Sequence, residues 1–267
     1  MNQTLTTRSA FALILISILL AFLSGSIILG LGSSFLQDSS ERPLVYMSLL
    51  LGQAVMLVPL LFYLWANRLP IKERIRFYTV SKQTVMATLV LSSGIIILGD
   101  ELDRLLSIIF PQPEFIRSLS QQLKIESVEA AILIPLLVVF FAPIIEEILF
   151  RGFLQKFLEE SWKDITRAIL ITSLFFALIH FNPYWIIQIY FLGLVLGYLA
   201  WYTGSIIPPI ILHTFNNAYA LTLENSNTPM LQLFDWNGHI SPIVLVFAVA
   251  LALAGFKLLN NSKVDVS

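Results

Sequence analysis

The chain has no cysteine. That excludes disulfides, thiolate zinc sites, haem attachment and a cysteine nucleophile together, and it says little about redox compartment. Charge is scarce as well. Charged residues make up 12% of the 267, where a soluble domain carries about a quarter. The net charge is −1 and there is no basic arm to hold a phosphate backbone, so nothing points to nucleic acid. Internal repeats and low-complexity segments are absent. So is a His-Glu-x-x-His helix, the common zinc-protease signature.

Apolar residues are abundant. They form 57% of the chain, and the mean hydropathy is +0.82. They fall in runs of about 18 or more residues, the length that crosses about 30 Å of hydrocarbon as a helix. Eight spans are expected: Ala10–Leu31, Leu44–Trp65, Thr84–Leu98, Ala130–Phe153, Ala168–His180, Tyr184–Tyr202, Ile206–Leu223 and Ile240–Leu259. The first exceeds a signal-peptide core and lacks a clear cleavage site, so it is kept as a span. No period-2 alternation appears, and helices satisfy their own backbone groups in lipid. The expected fold is therefore an all-α polytopic transmembrane bundle. It divides into N-terminal spans without motifs (1–125), a motif-bearing core (126–225), and an outer loop with a last span (226–267).

Charge placement orients the chain. With the N-terminus inside, the inner segments collect Arg8, Arg68, Lys72, Arg74, Arg76, Lys82, Arg151, Lys156, Lys163, Arg167, Lys257 and Lys263. The outer segments hold Arg42, Arg104, Arg117 and Lys124. This is the positive-inside pattern for both termini in the cytoplasm, with the cell membrane as the expected site. Leu69–Gln83 reads as a basic cytoplasmic connector. Gly99–Ser127 reads as a connector or a short helix along the outer interface. Gly193 and Gly197 form a small-xxx-small pattern for close helix packing.

A few polar residues lie inside the spans, where they are costly and face a cavity or a partner. The fourth span carries Glu146, Glu147 and Arg151. Glu147 and Arg151 are four apart on one face and can pair. Glu146 lies about 100° round the helix from Glu147, which leaves it to do chemistry. His180 ends the fifth span. It and Glu146 each stand roughly 22–27 Å from the hairpin turn near Ser161–Lys163, which makes them level on neighbouring helices. Phe176, one turn away, would wall the pocket. In the seventh span Pro208 and Pro209 suit a helix start, and His213 and Asn217 project from one face. His239, in the outer loop, is assigned no role.

A carboxylate, two imidazoles and a carboxamide at one depth suit hydrolysis. A carboxylate and an imidazole can polarise water, and a second imidazole with an amide can stabilise an oxyanion. Glu146, His180 and His213 could equally hold a zinc ion with an open position for water. A transporter relaying protons through the same groups is the rival reading, although no broken-helix repeat in two halves supports it.

Taken in order, these residues form Glu146-Glu147-x-x-x-Arg151, Phe176-x-x-x-His180 and His213-x-x-x-Asn217. Three such motifs on separate spans resemble the CAAX-protease and bacteriocin-processing membrane enzymes, the CPBP or Abi family. The resemblance covers about Ala130 to Leu223 and includes Gly152, Phe153 and the Thr203-Gly204-Ser205 turn. It implies an intramembrane endopeptidase acting on a peptide or protein at the lipid bilayer. In that scheme Glu146 and His180 activate water, and His213 and Asn217 stabilise the oxyanion. Family descriptions differ on a divalent metal, so Zn2+ stays open. Some members are tied to bacteriocin immunity, which makes a non-catalytic binding protein of the same fold the alternative.

Overall fold

A computed structural model describes residues 5–35, 42–111, 113–114, 124–226 and 234–262. Arg117 and Lys263, two of the charges used above, lie outside them.

The chain folds as an all-helical bundle. α1 (Thr7–Phe35) is a single 29-residue helix. α2 (Arg42–Met56) and α3 (Val58–Ala66) share one span, interrupted at Leu57. The interruption sits before Pro59, whose ring removes a backbone donor and clashes with the preceding turn. α4 (Ile71–Arg74) is a single turn. α5 (Lys82–Ile109) starts at Ser81, whose hydroxyl accepts from the Thr84 amide at 3.1 Å. Ser127 caps α6 (Val128–Trp162) in the same way, accepting from Ala130. α6 ends at Lys163, which is left-handed at φ 55°. Asp164 then caps α7 (Ile165–Leu178). α8 (Ile186–Thr203) stops at Gly204, φ +65°, as helices commonly do. α9 (Ile207–Asn225) opens on Pro208 and Pro209. α10 (Pro242–Ser262) closes the bundle.

Each expected span lies on a helix. Among the described residues, six stretches are long and apolar enough to cross a membrane. α7 is shorter, and α9 gives up hydropathy to His213, Asn216, Asn217 and Glu224. Three boundaries need correction. The fourth span does not stop at Phe153, since α6 runs on to Trp162. The third span does not stop at Leu98. α5 runs on to Ile109, so the first part of the supposed interfacial connector is the C-terminal end of a long helix. The fifth span stops at Leu178, which puts His180 in the turn beyond it.

A small antiparallel strand pair, β1 (Asp235–Trp236) with β2 (His239–Ile240), was not foreseen. Asn237 and Gly238 connect the strands at φ 54° and 84°. Two positive φ values are what a type I′ hairpin requires, and Asn-Gly adopts them readily.

α6 is the central element. One apolar cluster packs α1, α3 and α7 against it through residues such as Ile14, Leu60, Leu149, Phe150 and Phe176. A second gathers α5, α8, α9 and α10 around Leu91, Leu196, Leu199 and Leu212. A third joins α2 to the start of α6 and the end of α9. Lipid supplies little hydrophobic drive between helices, so close approach of small residues matters. A methyl group added at Gly255 would lie 2.5 Å from the Leu91 amide nitrogen, so α5 and α10 meet backbone to backbone there. Outward-facing apolar side chains, such as Ile243 at 82% exposed, fit a lipid-facing surface.

Candidate active site

α6 departs from α-helical geometry twice, over Pro135–Phe141 and Ile148–Gln155, where it widens into π-helical turns. Such turns are rare and frequent at functional sites. The first leaves one carbonyl without a helical donor. In a π turn the Val138 carbonyl would take its hydrogen bond from residue 143, five positions on. Residue 143 is proline and has no N–H. Asn217 of α9 supplies the missing donor, its Nδ2 reaching Val138 O at 2.9 Å. Asn216 Nδ2 donates to Asn217 Oδ1 at 3.3 Å and orients that carboxamide.

Between the two π segments stand Glu146 and Glu147, and the structure treats them differently. Glu147 is fully buried. Its Oε1 accepts from Arg151 Nη1 at 2.8 Å, the pair expected from their spacing. The same oxygen meets His213 Nδ1 at 2.9 Å, a contact the spacing did not show. Glu146 keeps 19% of its side chain exposed, and its Oε2 lies 3.8 Å from His213 Nε2. His213 therefore bridges the two glutamates.

Arg151 is also fully buried. Besides Glu147 it donates from Nη2 to Gly193 O on α8 at 3.2 Å, and it stacks over the Phe176 ring at 4.2 Å. A side chain at Gly193 would crowd that guanidinium, with an added methyl only 3.3 Å from Nη2. The small-residue pattern of α8 thus has a chemical role, since it opens two carbonyls to α6. The second is Gly197 O, which accepts from the buried Gln155 Nε2 at 2.9 Å. Gln155 in turn donates to Glu159 at 2.8 Å, and Glu159 takes both ends of the Arg76 guanidinium.

Glu147, Arg151, Gln155 and Glu159 recur every fourth residue, so they form one polar stripe down α6. Arg76 closes the stripe from the basic connector between α4 and α5. Its own carbonyl accepts from the Ile206 amide, just ahead of α9. Arg76 is therefore tied both to the helix carrying the glutamates and to the entry of the helix carrying His213.

His180 joins the group through Phe176. Its Nδ1 lies 2.7 Å from Phe176 O, and the two rings meet edge to face at 4.8 Å. Phe176 also faces His213, its ring centroid 5.8 Å away. The imidazole within 4 Å of Glu146 is that of His213. From the sequence Gly193 had a packing role only, and Gln155, Asn216 and the Val138 carbonyl went unremarked. Glycine spacing and Pro143 were the available signals for two of them. His239 has a partner too: it pairs with Glu101 of α5 at 2.8 Å, far along the chain from the motifs.

A carbonyl can only accept, so neutral His180 carries its proton on Nδ1 and presents a lone pair at Nε2. His213 has the same arrangement if its Nδ1 donates to Glu147 Oε1. Such outer partners are what metal-binding imidazoles also have. Yet among the described residues no three His, Asp or Glu side chains converge closely enough to hold a metal ion. In this arrangement Glu146, His180 and His213 do not fit a zinc cage.

Residues 128–219 match the family model described as Type II CAAX prenyl endopeptidase Rce1-like. The match covers about a third of the chain and contains all three motifs. It supports the CAAX-protease resemblance drawn from them. No curated protein and no solved structure matches the chain.

Proposed function

We propose, from the premise that residues 128–219 are a CAAX-protease core, that this integral membrane protein hydrolyses a peptide bond at the membrane with Glu146 as general base. The observation that carries the reading is the contrast between the glutamates. One is locked to Arg151 and His213, and the other is part-exposed with an imidazole nitrogen 3.8 Å away. That gap is too long for a direct hydrogen bond. It suits a water that donates to both Glu146 Oε2 and His213 Nε2.

In the proposed reaction the water oxygen attacks the scissile carbonyl carbon while Glu146 takes one proton. The carbonyl π electrons move to oxygen. The oxyanion accepts from the second N–H of Asn217, while His213 Nε2 accepts from the hydroxyl that the water leaves on the tetrahedral carbon. His180, joined to the group through Phe176, helps to polarise the water in this scheme. Collapse breaks the C–N bond, and Glu146 returns its proton to the leaving amine. These steps call on no metal, so protein stripped by a strong chelator is expected to keep its activity. Loss on stripping with recovery on stoichiometric zinc would replace this scheme.

The test is cleavage of a membrane-associated peptide by purified protein. Glu146→Gln should lower kcat by about 10²–10⁴-fold, the usual worth of a general base, with folded protein still in the membrane. A Glu146→Gln protein as fast as wild type would end the proposal.

Both termini are proposed to lie in the cytoplasm. The chain lacks cysteine, so single-cysteine variants report cleanly. An impermeant thiol reagent should label Asn237→Cys in intact cells and leave Asn261→Cys untouched.

A further inference from the structure

A cavity of about 440 Å3 lies away from the motifs, between the start of α1, the end of α3 and the last turns of α6. Its size falls within the range of small-molecule pockets, roughly 300–1,000 Å3. Leu5, Tyr63, Phe153 and Phe157 form apolar walls, with Tyr63 set edge-on to Phe153 at 6.2 Å. Arg74, Lys156 and Glu160 form a charged rim.

Two cations and one acid line the rim, with Glu73 beside it. Arg74 reaches Glu160 at 3.5 Å and Lys156 reaches the same carboxylate at 3.8 Å. Two cations thus share one acid through contacts longer than a charge-assisted hydrogen bond of about 2.7–2.9 Å. Lys156 also donates to the Glu73 carbonyl. The Arg74 side chain remains 42% exposed, and its fork has five donors in all.

Aromatic residues mark the depth of this cavity. Trp65, at the end of α3, is 73% exposed. Trp162 ends α6 with the Arg167 guanidinium 4.6 Å above its ring. Tryptophans at helix ends, one exposed and one half-buried under a guanidinium, belong at the headgroup level of a bilayer. A cavity at that level with an apolar wall and a cationic rim is complementary to an anionic amphiphile, not to a wholly polar solute. Basic pockets between spans bind anionic headgroups in this way.

We propose that this cavity binds one anionic phospholipid, its phosphate between Arg74 and Lys156 and its glycerol and upper acyl segment against Tyr63, Phe153 and Phe157. The site is separate from the glutamate–histidine cluster and does not depend on the hydrolytic reading.

The full chain is purified into nanodiscs of mixed phosphatidylglycerol and phosphatidylcholine, and the lipid retained is read by native mass spectrometry. Wild type should keep one phosphatidylglycerol in preference to phosphatidylcholine. The preference should fall by about fivefold per cation removed, in Arg74→Gln and again in Arg74→Gln with Lys156→Gln. Lys163→Gln, an exposed cation outside the cavity, should leave it unchanged. Equal retention of the two lipids by wild type overturns the proposal without recourse to any variant. So does an undiminished preference in the double variant, or a fall in Lys163→Gln as large as in Arg74→Gln. Thermal unfolding of wild type supplies the last arm. Stabilisation by inorganic phosphate alone equal to that by phosphatidylglycerol would mean an anion site and no lipid site.

Discussion

Two glutamate–histidine pairs in this molecule have nearly the same length and opposite settings. Glu147 and His213 meet at 2.9 Å with side chains 0% and 5% exposed. Glu101 and His239 meet at 2.8 Å with 13% and 32% exposed. The first pair sits mid-bundle against Arg151. The second fastens the β1–β2 hairpin to the C-terminal end of α5, where Glu101 also accepts from the Ile240 amide and Arg104 reaches Asp235. Hydrogen-bond length says almost nothing about what each pair contributes. Water can replace any partner lost from the outer pair, while a charge stranded in the inner one has no substitute.

Glu147→Gln is where the contrast should be greatest. It leaves Arg151 buried beside Gly193 O and the Phe176 ring without its carboxylate, and breaking such a pair costs about 3–5 kcal/mol. Glu147 Oε2 and Arg151 Nε already have no hydrogen-bond partner, so nothing nearby is placed to compensate. Reversible unfolding in detergent should show the loss. A Glu147→Gln protein as stable as wild type would mean that the pair is not what secures α6.

Arg76→Gln is expected to come next. It removes charge-assisted hydrogen bonds to Glu159 in a pair about 10% exposed, worth roughly 1.5–3 kcal/mol. Because Arg76 also holds the entry to α9 through its carbonyl, kcat should fall with little change in KM. Exchanging the charges, Arg76→Glu with Glu159→Arg, should recover part of both losses. Recovery of neither would remove the pair from the role of setting α6 against α9.

Gly193→Ala should cost about 1–3 kcal/mol, the usual range for overpacking. The added methyl would lie 3.1 Å from Ser173 Cβ and 3.3 Å from Arg151 Nη2. Activity should suffer along with stability, since the crowded guanidinium is the one holding Glu147.

His239→Gln should do least, at or below about 1 kcal/mol, as for exposed ion pairs generally. Unfolding under the same conditions checks it. A loss matching that of Glu147→Gln would erase the distinction between the two regions.

Much of this was legible from the residues in order. Long apolar runs have one stable form in lipid, so helices and their approximate bounds followed directly. The Glu147–Arg151 pair followed as well, because spacing within one helix fixes which side chains share a face. The end of α5 was misplaced because Asp100, Glu101, Asp103 and Arg104 read as polar loop. In the structure they continue the helix, and Tyr219, Asp235 and His239 supply partners to Asp100, Arg104 and Glu101. Hydropathy cannot register partners that come from elsewhere in the chain.

The sequence by itself therefore determined the helical class, the membrane setting, the set of polar residues too costly to face lipid, and the pairing of those on one helix. Only the tertiary structure decided that His213 bridges both glutamates and that Asn217 fills a gap left by Pro143. It alone set two glycine carbonyls as acceptors for Arg151 and Gln155. The reason is physical. A buried polar group must find a partner, but which partner depends on how helices separated by tens of residues rotate and slide against one another.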